Sequence, residues 1–218
     1  MNKPLTFLTN FQLRVLLAVV ASSAVAMTQA QEPEAEATAR VIAIAGDVTV
    51  ESASGERKSL QRRDSVNSGD VITTAPQAWV QLRFSDRALL SLMCNSSLQI
   101  RGYQYLDRND DRSQLHLIYG RMRTITGVIQ RRNTLFTTDL AEVTVGGTDY
   151  EVAAINEGVH YFGVFDGSIR ISAATGTLSL DAASPISFAR LEEGEEPVAL
   201  AQVPASLGVG VLEGTNCN

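Results

Sequence analysis

The chain has few of the residues from which catalytic sites are built. Its 218 residues include two cysteines, two histidines and one tryptophan. A nucleophilic triad needs a histidine beside a serine or cysteine, with a carboxylate to orient it. His116 and His160 each lie mid-strand by pattern, so we expect both to be outward-facing strand residues. No Gly-x-Ser-x-Gly motif is present. The sequence therefore predicts a protein that is not an enzyme.

A metal site is also poorly supported. The histidines and cysteines are too widely scattered for a zinc site, which needs closely spaced pairs. Asp107, Asn109 and Asp111 match the first three ligand positions of a calcium loop. However, Arg112 stands where the required glycine would be, and Ile118 where the bidentate glutamate would be. A polar hairpin tip explains these residues without a ligand, so we expect no metal or cofactor.

Only one long hydrophobic run is present, and it lies near the N-terminus. Residues 15–25 are apolar but too few to span a bilayer comfortably, and they follow a basic start. Small residues then precede two candidate cleavage points, after Ala26 and after Ala30. We expect residues 1–30 to be a cleaved signal helix, with no stable membrane span afterwards. An uncleaved anchor is the alternative, and the short run disfavours it.

An excess of basic charge is missing as well. The net charge is −6, and removing the two basic residues of the signal segment leaves 16 basic against 24 acidic residues, a net charge of −8. A nucleic-acid partner is therefore not expected, because a phosphate backbone requires a basic face. We expect a periplasmic or secreted protein. That oxidising compartment permits Cys94 and Cys217 to form a disulfide, although two unpaired thiols remain the alternative.

The remaining chain alternates in the manner of strands. No window beyond the signal segment has a convincing helical period, whereas Val80, Leu82 and Phe84 share one face of an alternating run. Glycine-containing turns separate many such runs. We predict an all-β fold, a β-sandwich or β-roll, over residues 41–190. An acidic linker over residues 31–40 precedes it, and a loose acidic tail with Gly and Pro over residues 191–218 follows it.

Two parts of this pattern are similar to each other. Residues 164–180 repeat the order strand, glycine turn, strand, glycine turn and apolar residue that residues 45–60 show. We interpret this as a weak internal repeat. The alternative is that any two hairpins of this length look alike.

Several segments together are specific enough to resemble a known family. The Gly-Arg-Met-Arg-Thr-Ile-Thr-Gly block and the Gly-Thr-Asp-Tyr block are the most specific, and three earlier turn-and-strand motifs accompany them. The segments are residues 46–48, 68–74, 78–84, 120–129 and 147–150. They resemble the FecR-domain proteins of Gram-negative bacteria, and the resemblance extends over about residues 41–189.

The resemblance implies an all-β periplasmic module. The named member of that family is a membrane regulator that relays siderophore occupancy from an outer-membrane transporter to a sigma factor. About fourteen residues precede the apolar run of this chain, so we expect no helical arm there that could hold a sigma factor. Gly146 also replaces the arginine usual at the Arg-Gly-Thr step. We therefore expect an exported binding or scaffolding module that contacts an envelope protein, or a cell-wall or lipid component, through its surface and strand edges. The alternative is a periplasmic component of a transporter-occupancy signalling system.

Four arginines form the densest basic cluster on this acidic chain. A guanidinium makes forked hydrogen bonds to phosphate and carboxylate groups. Arg121, Arg123, Arg131 and Arg132 are therefore the candidate anion-binding or partner-binding residues. If Met122 faces inward, then Arg121 and Arg123 share the outer face of one strand. The alternative is a solvated hairpin whose arginines pair with surface acids.

Two further sequence features carry weaker hypotheses. Trp79, Tyr103 and Tyr105 could together form an aromatic platform for a sugar, although such residues more often cap a sheet edge. Gly127, like the Gly146–Gly147 pair, is interpreted structurally, because no helix is predicted to follow that could complete a phosphate-binding loop.

Overall fold

The structure is a computed structural model that describes residues 37–156 and 158–207. The predicted signal helix, most of the acidic linker and Cys217 lie outside the described residues. Within the described ranges, no helix is long and apolar enough to cross a membrane. The described residues belong to one compact unit.

The first half of the described chain forms nine strands. They are β1 (Ala39–Ala45), β2 (Val48–Glu51), β3 (Arg57–Ser59), β4 (Ser65–Val66), β5 (Val71–Thr74), β6 (Trp79–Phe84), β7 (Leu89–Leu92), β8 (Ser96–Gln104) and β9 (Arg112–Ile125).

The second half adds a 3-10 turn (Arg131–Asn133) and eight more strands. These are β10 (Thr134–Thr137), β11 (Ala141–Val145), β12 (Asp149–Asn156), β13 (Val159–Asp166), β14 (Ser168–Ala173), β15 (Gly176–Asp181), β16 (Phe188–Glu192) and β17 (Val198–Leu200). The all-β prediction is confirmed.

The strands form two sheets that enclose one hydrophobic core. In sheet A, β1 pairs with both β4 and β6, and the order continues β6-β7-β9-β12-β13-β16-β17. In sheet B the order is β3-β2-β5-β8-β9-β10-β11-β14-β15. Of the pairings described, β9 with β10 is parallel and the others are antiparallel. Both sheets contain β9, so this strand joins the two layers.

A bend at Gly120 carries β9 from sheet B into sheet A. Gly120 has φ +92°, and a Cβ built on it would lie 2.5 Å from Ser96 Cα, so only glycine fits. Just before the bend, Ile118 is an extra residue in the pairing of β9 with β8. This bulge changes which positions face the core. Leu115 and Leu117 are buried before the bend, and Met122 and Thr124 are buried after it.

The predicted alternation in β6 is confirmed on its inner face. Val80, Leu82 and Phe84 are buried in the core, and Arg83 is exposed. Gln81, however, is also buried although it faces the outer side of sheet A. Each large side chain that enters the core contributes about 1.5–3 kcal/mol relative to exposure. The apolar face of β6 therefore helps to fix the register of sheet A.

The two similar sequence segments follow the same path. β1 leads through Gly46 into β2 and β3, and β13 leads through Gly167 into β14 and β15. Each path leaves sheet A, enters sheet B and closes a hairpin at an outer edge of sheet B. Both glycines have φ +71°. The internal similarity thus corresponds to one connection used twice.

The chain after residue 190 differs from the expected loose tail. β16 continues to Glu192, and β17 adds an edge strand to sheet A. Leu191 and Leu207 are both buried. The acidic, glycine and proline residues of this segment suggested a loose tail. The strands themselves gave no signal, because the apolar residues of such short strands are too few to establish a period of two.

Candidate functional site

The four candidate arginines do not form one cluster. Arg121 and Arg123 lie on the outer face of β9 after the bend, as expected from the inward position of Met122. Arg131 and Arg132 lie in the 3-10 turn before β10 and are exposed. The two pairs also differ in what their guanidinium groups contact.

Arg123 is held by an internal ion pair. Its Nε and Nη2 donate to the two carboxylate oxygens of Asp149, each at 2.9 Å. Its guanidinium carbon also lies 4.0 Å from the ring centroid of Phe165. Arginine forms forked hydrogen bonds to a carboxylate and stacks on an aromatic ring better than lysine does. Because Asp149 belongs to the Gly-Thr-Asp-Tyr block, this ion pair joins the two most specific segments of the sequence.

Arg121 lies beside a buried acid, Glu151. Its Nε lies 3.8 Å from Oε1 of Glu151, which is fully buried, and its Nη1 donates to the carbonyl oxygen of Ser206 at 3.1 Å. A buried carboxylate needs a paired positive charge, since its desolvation is otherwise very unfavourable. The charges of Arg121 and Arg123 therefore serve the fold. The prediction that they bind an external anion disagrees with this geometry.

Arg131 and Arg132 line a cleft of about 400 Å³ together with Arg112. Arg112 begins β9, and the cleft is also lined by Asp110, Asp111, Leu135 and Thr144. Among the described residues, none of the three arginines has a carboxylate oxygen within 4.0 Å. We call this surface the arginine cleft. Sequence reasoning missed Arg112, because only the pairing of β9 with β10 brings it close to the 3-10 turn.

Gly146 makes room for one side of this cleft. A Cβ built on Gly146 would lie 2.6 Å from Arg131 Cβ and 2.7 Å from its Cγ. The aliphatic stem of Arg131 thus occupies the space that a side chain at position 146 would need. The absence of a side chain at position 146 is therefore coupled to the placement of Arg131.

Both histidines are buried, so the expectation of outward-facing strand histidines is wrong. They approach one turn, residues 137–139, from the two sheets. His116 Nδ1 hydrogen-bonds Thr137 Oγ1 at 2.9 Å, and its Nε2 lies 3.3 Å from Asp139 Oδ1. His160 Nδ1 hydrogen-bonds Thr138 Oγ1 at 2.9 Å. Sequence patterning failed at His160 because this residue shares the inward face of β13 with Phe162 and Val164. It failed at His116 because the outer face of β9 is also covered there.

The surroundings of the histidines disfavour their charged forms. Burial lowers the pKa of His116, as does the nearby Arg101 charge, although Asp139 opposes this shift. Burial likewise lowers the pKa of His160, against a smaller opposing effect of Asp139. Both histidines therefore act as neutral hydrogen-bonding groups that fasten the turn to the two sheets.

Tyr103 is not part of an exposed aromatic platform. It is buried, stacks on Phe84 with ring centroids 4.6 Å apart, and its hydroxyl donates to the buried Asp86 carboxylate. Burial and the Asp86 charge raise the pKa of Tyr103. Asp86 also accepts from the backbone N–H of Ala88 at 3.0 Å and of Ile129 at 3.4 Å. The predicted sugar platform is therefore incompatible with the fold, in which Tyr103 ties β8 to two loops.

The acidic segment between β8 and β9 is a hairpin tip. The Asp111 carboxylate accepts from the backbone N–H of Leu106 at 2.6 Å and of Arg108 at 2.8 Å. Both carboxylate oxygens thus accept from backbone N–H groups earlier in the turn and stabilise it. No group of three or more His, Cys, Asp or Glu side chains in the described part of the chain could hold a metal ion. Cys94 is half-buried after β7. Its predicted disulfide to Cys217 stays a prediction here, because Cys217 lies outside the described residues.

Residues 70–170 match the family model described as FecR protein. The match confirms the resemblance inferred from the sequence, over a shorter range than expected, and it includes all of β9 and both specific blocks. This part of the chain is similar to FecR proteins. No curated protein sequence matches the chain.

Two crystal structures of a putative anti-sigma factor from Parabacteroides distasonis ATCC 8503 align with part of this chain. At 1.65 Å resolution, one has a TM-score of 0.47 and 15% identity; at 2.50 Å, the other has 0.48 and 14%. Each alignment covers 60% of this chain and 58% of the other. The chain thus spans a little over half the length of these neighbours.

Proposed function

We propose that this protein is an exported, non-enzymatic binding module of the FecR type. It acts in the cell envelope and holds an anionic group of an envelope component, a phosphate or a carboxylate, in the arginine cleft. The observation that carries this proposal is the placement of Arg112, Arg131 and Arg132 around one cleft, without a carboxylate within 4.0 Å among the described residues.

The chemistry of the cleft supports an anionic ligand. Three guanidinium groups from two elements can donate forked hydrogen bonds to one phosphate or carboxylate. The cleft is lined by three arginines against two acids, Asp110 and Asp111, on a chain whose net charge is −6.

The non-enzymatic assignment is supported by the use that the fold makes of its acid–base groups. His116 and His160 fasten a turn, and the Asp86 carboxylate holds two loops. Export is supported by the signal-type sequence of residues 1–30. N-terminal sequencing of the protein from the periplasmic fraction tests this part. A start at Met27 or Gln31 is expected, and a start at Met1 in the cytoplasmic fraction would contradict it.

Binding is tested with the purified exported chain. We expect it to be retained by immobilised lipopolysaccharide, which offers phosphates, or by peptidoglycan, which offers carboxylates. Replacing Arg112, Arg131 and Arg132 together by alanine should reduce retention at least tenfold. The matched control removes three exposed positive charges outside the cleft, Arg40, Lys58 and Arg83, and should retain binding.

The two matrices and the control separate the possible results. Retention on one matrix identifies the source of the anion. Equal loss in both triple variants would mean that total charge drives binding, and the cleft assignment would then fail. Absence of wild-type binding to both matrices directs the search to a protein partner, which chemical crosslinking in the periplasm followed by mass spectrometry would capture. If no partner depends on the cleft arginines, the proposed function is wrong.

A signalling role is the second candidate. It is favoured by the FecR match over residues 70–170. In this version the partner is an outer-membrane transporter, and the module reports transporter occupancy to a sigma-factor system. Deleting the gene should then abolish the transcriptional response to the transported siderophore. An unchanged response would exclude this candidate and leave the binding proposal standing.

A further inference from the structure

Another cleft, of about 390 Å³, adjoins the arginine cleft. We call it the second cleft. It lies between the turn that joins β6 to β7, the tip of the β8–β9 hairpin and the loop that follows β9. Asp111 and Asn133 line both clefts, so the two share a wall. One ligand can therefore extend from the arginine cleft into the second cleft.

One wall of the second cleft is held together by Asp86. Its carboxylate accepts from the backbone N–H of Ala88 and of Ile129, at 3.0 and 3.4 Å. These bonds tie the turn that carries Arg87 to the loop after β9. A Cβ on Gly127 would collide with the Asp86 carboxylate, so glycine permits this close approach.

The opposite wall is the tip of the β8–β9 hairpin, which is fixed in the same way. The Asp111 carboxylate accepts from the backbone N–H of Leu106 and of Arg108. Asn133 Nδ2 donates to the carbonyl oxygen of Asn109 at 2.9 Å and so ties the tip to the 3-10 turn. Both walls are thus set by internal hydrogen bonds. A site formed in advance loses little conformational freedom when a ligand binds.

The charges that line the second cleft differ from those of the arginine cleft. Arg87 and Arg108 are matched there by Asp107 and Asp111, so positive charge is not in excess. Among the described residues, neither arginine has a carboxylate oxygen within 4.0 Å. The exposed Gln130 adds an amide, which both donates and accepts. This balance of donors and acceptors suits hydroxyl groups better than a second anion, because a hydroxyl also does both.

Tyr105 adds an aromatic surface to the second cleft. It is half-buried and packs partly against the core, and it also lines the cleft. A sugar ring presents apolar C–H groups beside its hydroxyls, so it matches an aromatic side chain surrounded by polar groups. This site differs from the aromatic platform excluded above, since neither Trp79 nor Tyr103 lines it.

We propose that the anionic group in the arginine cleft is carried by a sugar whose ring lies in the second cleft. The ligand class is thus a glycan of the envelope that bears a phosphate or a carboxylate. This inference rests on the proposed function, because the arginine cleft must hold the anion. It adds the chemistry of the group to which that anion is attached.

Four soluble probes in two pairs test the contribution of the sugar. Inorganic phosphate is compared with glucosamine phosphate, and lactate with N-acetylmuramic acid, so that each pair shares one anionic group. In an NMR titration of the exported chain, the sugar-bearing member of at least one pair should bind about tenfold tighter, through two or three added hydrogen bonds. The pair that shows this preference identifies the anion. Equal affinity within both pairs would overturn the inference.

The position of the sugar is tested by a double variant that leaves the net charge unchanged. Arg87 has φ +75° and Asp107 has φ +59°, so glycine fits both positions without strain. Arg87→Gly with Asp107→Gly should abolish the preference for the sugar-bearing probe. Binding of the bare anion and the thermal midpoint should not change. The matched control is Arg63→Gly, at φ +78°, with Glu193→Ala; neither residue lines either cleft, and the preference should remain.

The variants separate failure of this inference from failure of the proposed function. A preference that persists without Arg87 and Asp107, or that is also lost in the control, would overturn the placement of the sugar. The triple variant of the arginine cleft should lose binding of the bare anions as well. If it binds phosphate and lactate like the wild type, the proposed function fails. If it loses them but the sugar adds nothing in the wild type, only this inference fails.

Discussion

The two arginine pairs look alike in the sequence and have opposite roles in the structure. Arg121 and Arg123 follow the bend of β9, where Asp149 and Glu151 of the next strand neutralise them. Arg131 and Arg132, about ten residues later, project from a 3-10 turn into a cleft. A cluster of arginines in the sequence therefore does not by itself predict a binding site. The neighbouring strand determines whether the arginines form ion pairs within the fold.

The sharpest test of this difference is the removal of Arg123. Arg123→Ala leaves Asp149 and the buried Glu151 without that positive charge, and should lower the free energy of unfolding by about 3–5 kcal/mol. Urea denaturation measures this. Arg123→Lys keeps the charge but loses the forked bonds and the stacking on Phe165, so an intermediate loss is expected. A loss below about 1 kcal/mol for Arg123→Ala would remove the distinction between the two pairs.

The coupling of Gly146 to Arg131 can be broken from either side. Gly146→Ala places a methyl group against the Arg131 stem and should destabilise the fold by about 1–3 kcal/mol. Arg131→Gly removes that stem, so the double variant should recover most of the loss. A double-variant cycle in thermal unfolding gives the interaction energy. Additive effects of the two substitutions would show that they do not share this space.

Acid pH should weaken the turn that the histidines fasten. The pKa values of His116 and His160 are lowered in the folded protein, so the unfolded chain binds protons first. The contribution of the neutral histidines is complete above the ordinary pKa of about 6.5. It is lost as pH falls below that value towards the folded pKa, by at most about 1.4 kcal/mol per pH unit for each histidine.

Urea unfolding at pH 7.5 and pH 5.5 measures this dependence. The variant with His116→Gln and His160→Gln should be less stable at pH 7.5 and lose less stability between the two pH values. An equal pH dependence in the variant and the wild type would assign the acid effect to other groups.

The smallest effect is expected for the exposed pair. Arg131→Ala together with Arg132→Ala should change the free energy of unfolding by no more than about 0.5 kcal/mol. The same variant should lose anion binding, measured on the matrices described above. A large loss of stability would show that the second pair is also used internally, and would erase the contrast with Arg121 and Arg123.

Local patterning predicted much of the fold. Val80, Leu82 and Phe84 alternate cleanly, and turns form at the predicted glycine positions, so the strands and the all-β class followed from the sequence. β17 did not, because three residues cannot display a period. The sequence also could not predict which strands belong to which sheet, since that assignment depends on the bend at Gly120.

The candidate site was less predictable for a related reason. Arg131 and Arg132 were identified by charge alone, but their neighbour Arg112 is close only because β10 runs parallel to β9. The acids that neutralise Arg121 and Arg123 lie 26 to 30 residues later, on β12. The burial of His160 depended on which face of β13 points inward, and that of His116 on the covering of the outer face of β9. Each of these features comes from pairing between distant segments, which composition does not encode.

The extra residue at Ile118 determines which side chains of β9 face the core before and after the bend. Side chains alternate along β9, so the bulge allows odd-numbered Leu115 and Leu117 to face the core before the bend and even-numbered Met122 and Thr124 to face it afterwards. Without that residue, a strand in register in sheet B would turn Arg121 and Arg123 towards the core of sheet A. One added residue thus matches the register of β9 in sheet B to its register in sheet A. A register error in either sheet would therefore also misplace side chains in the other.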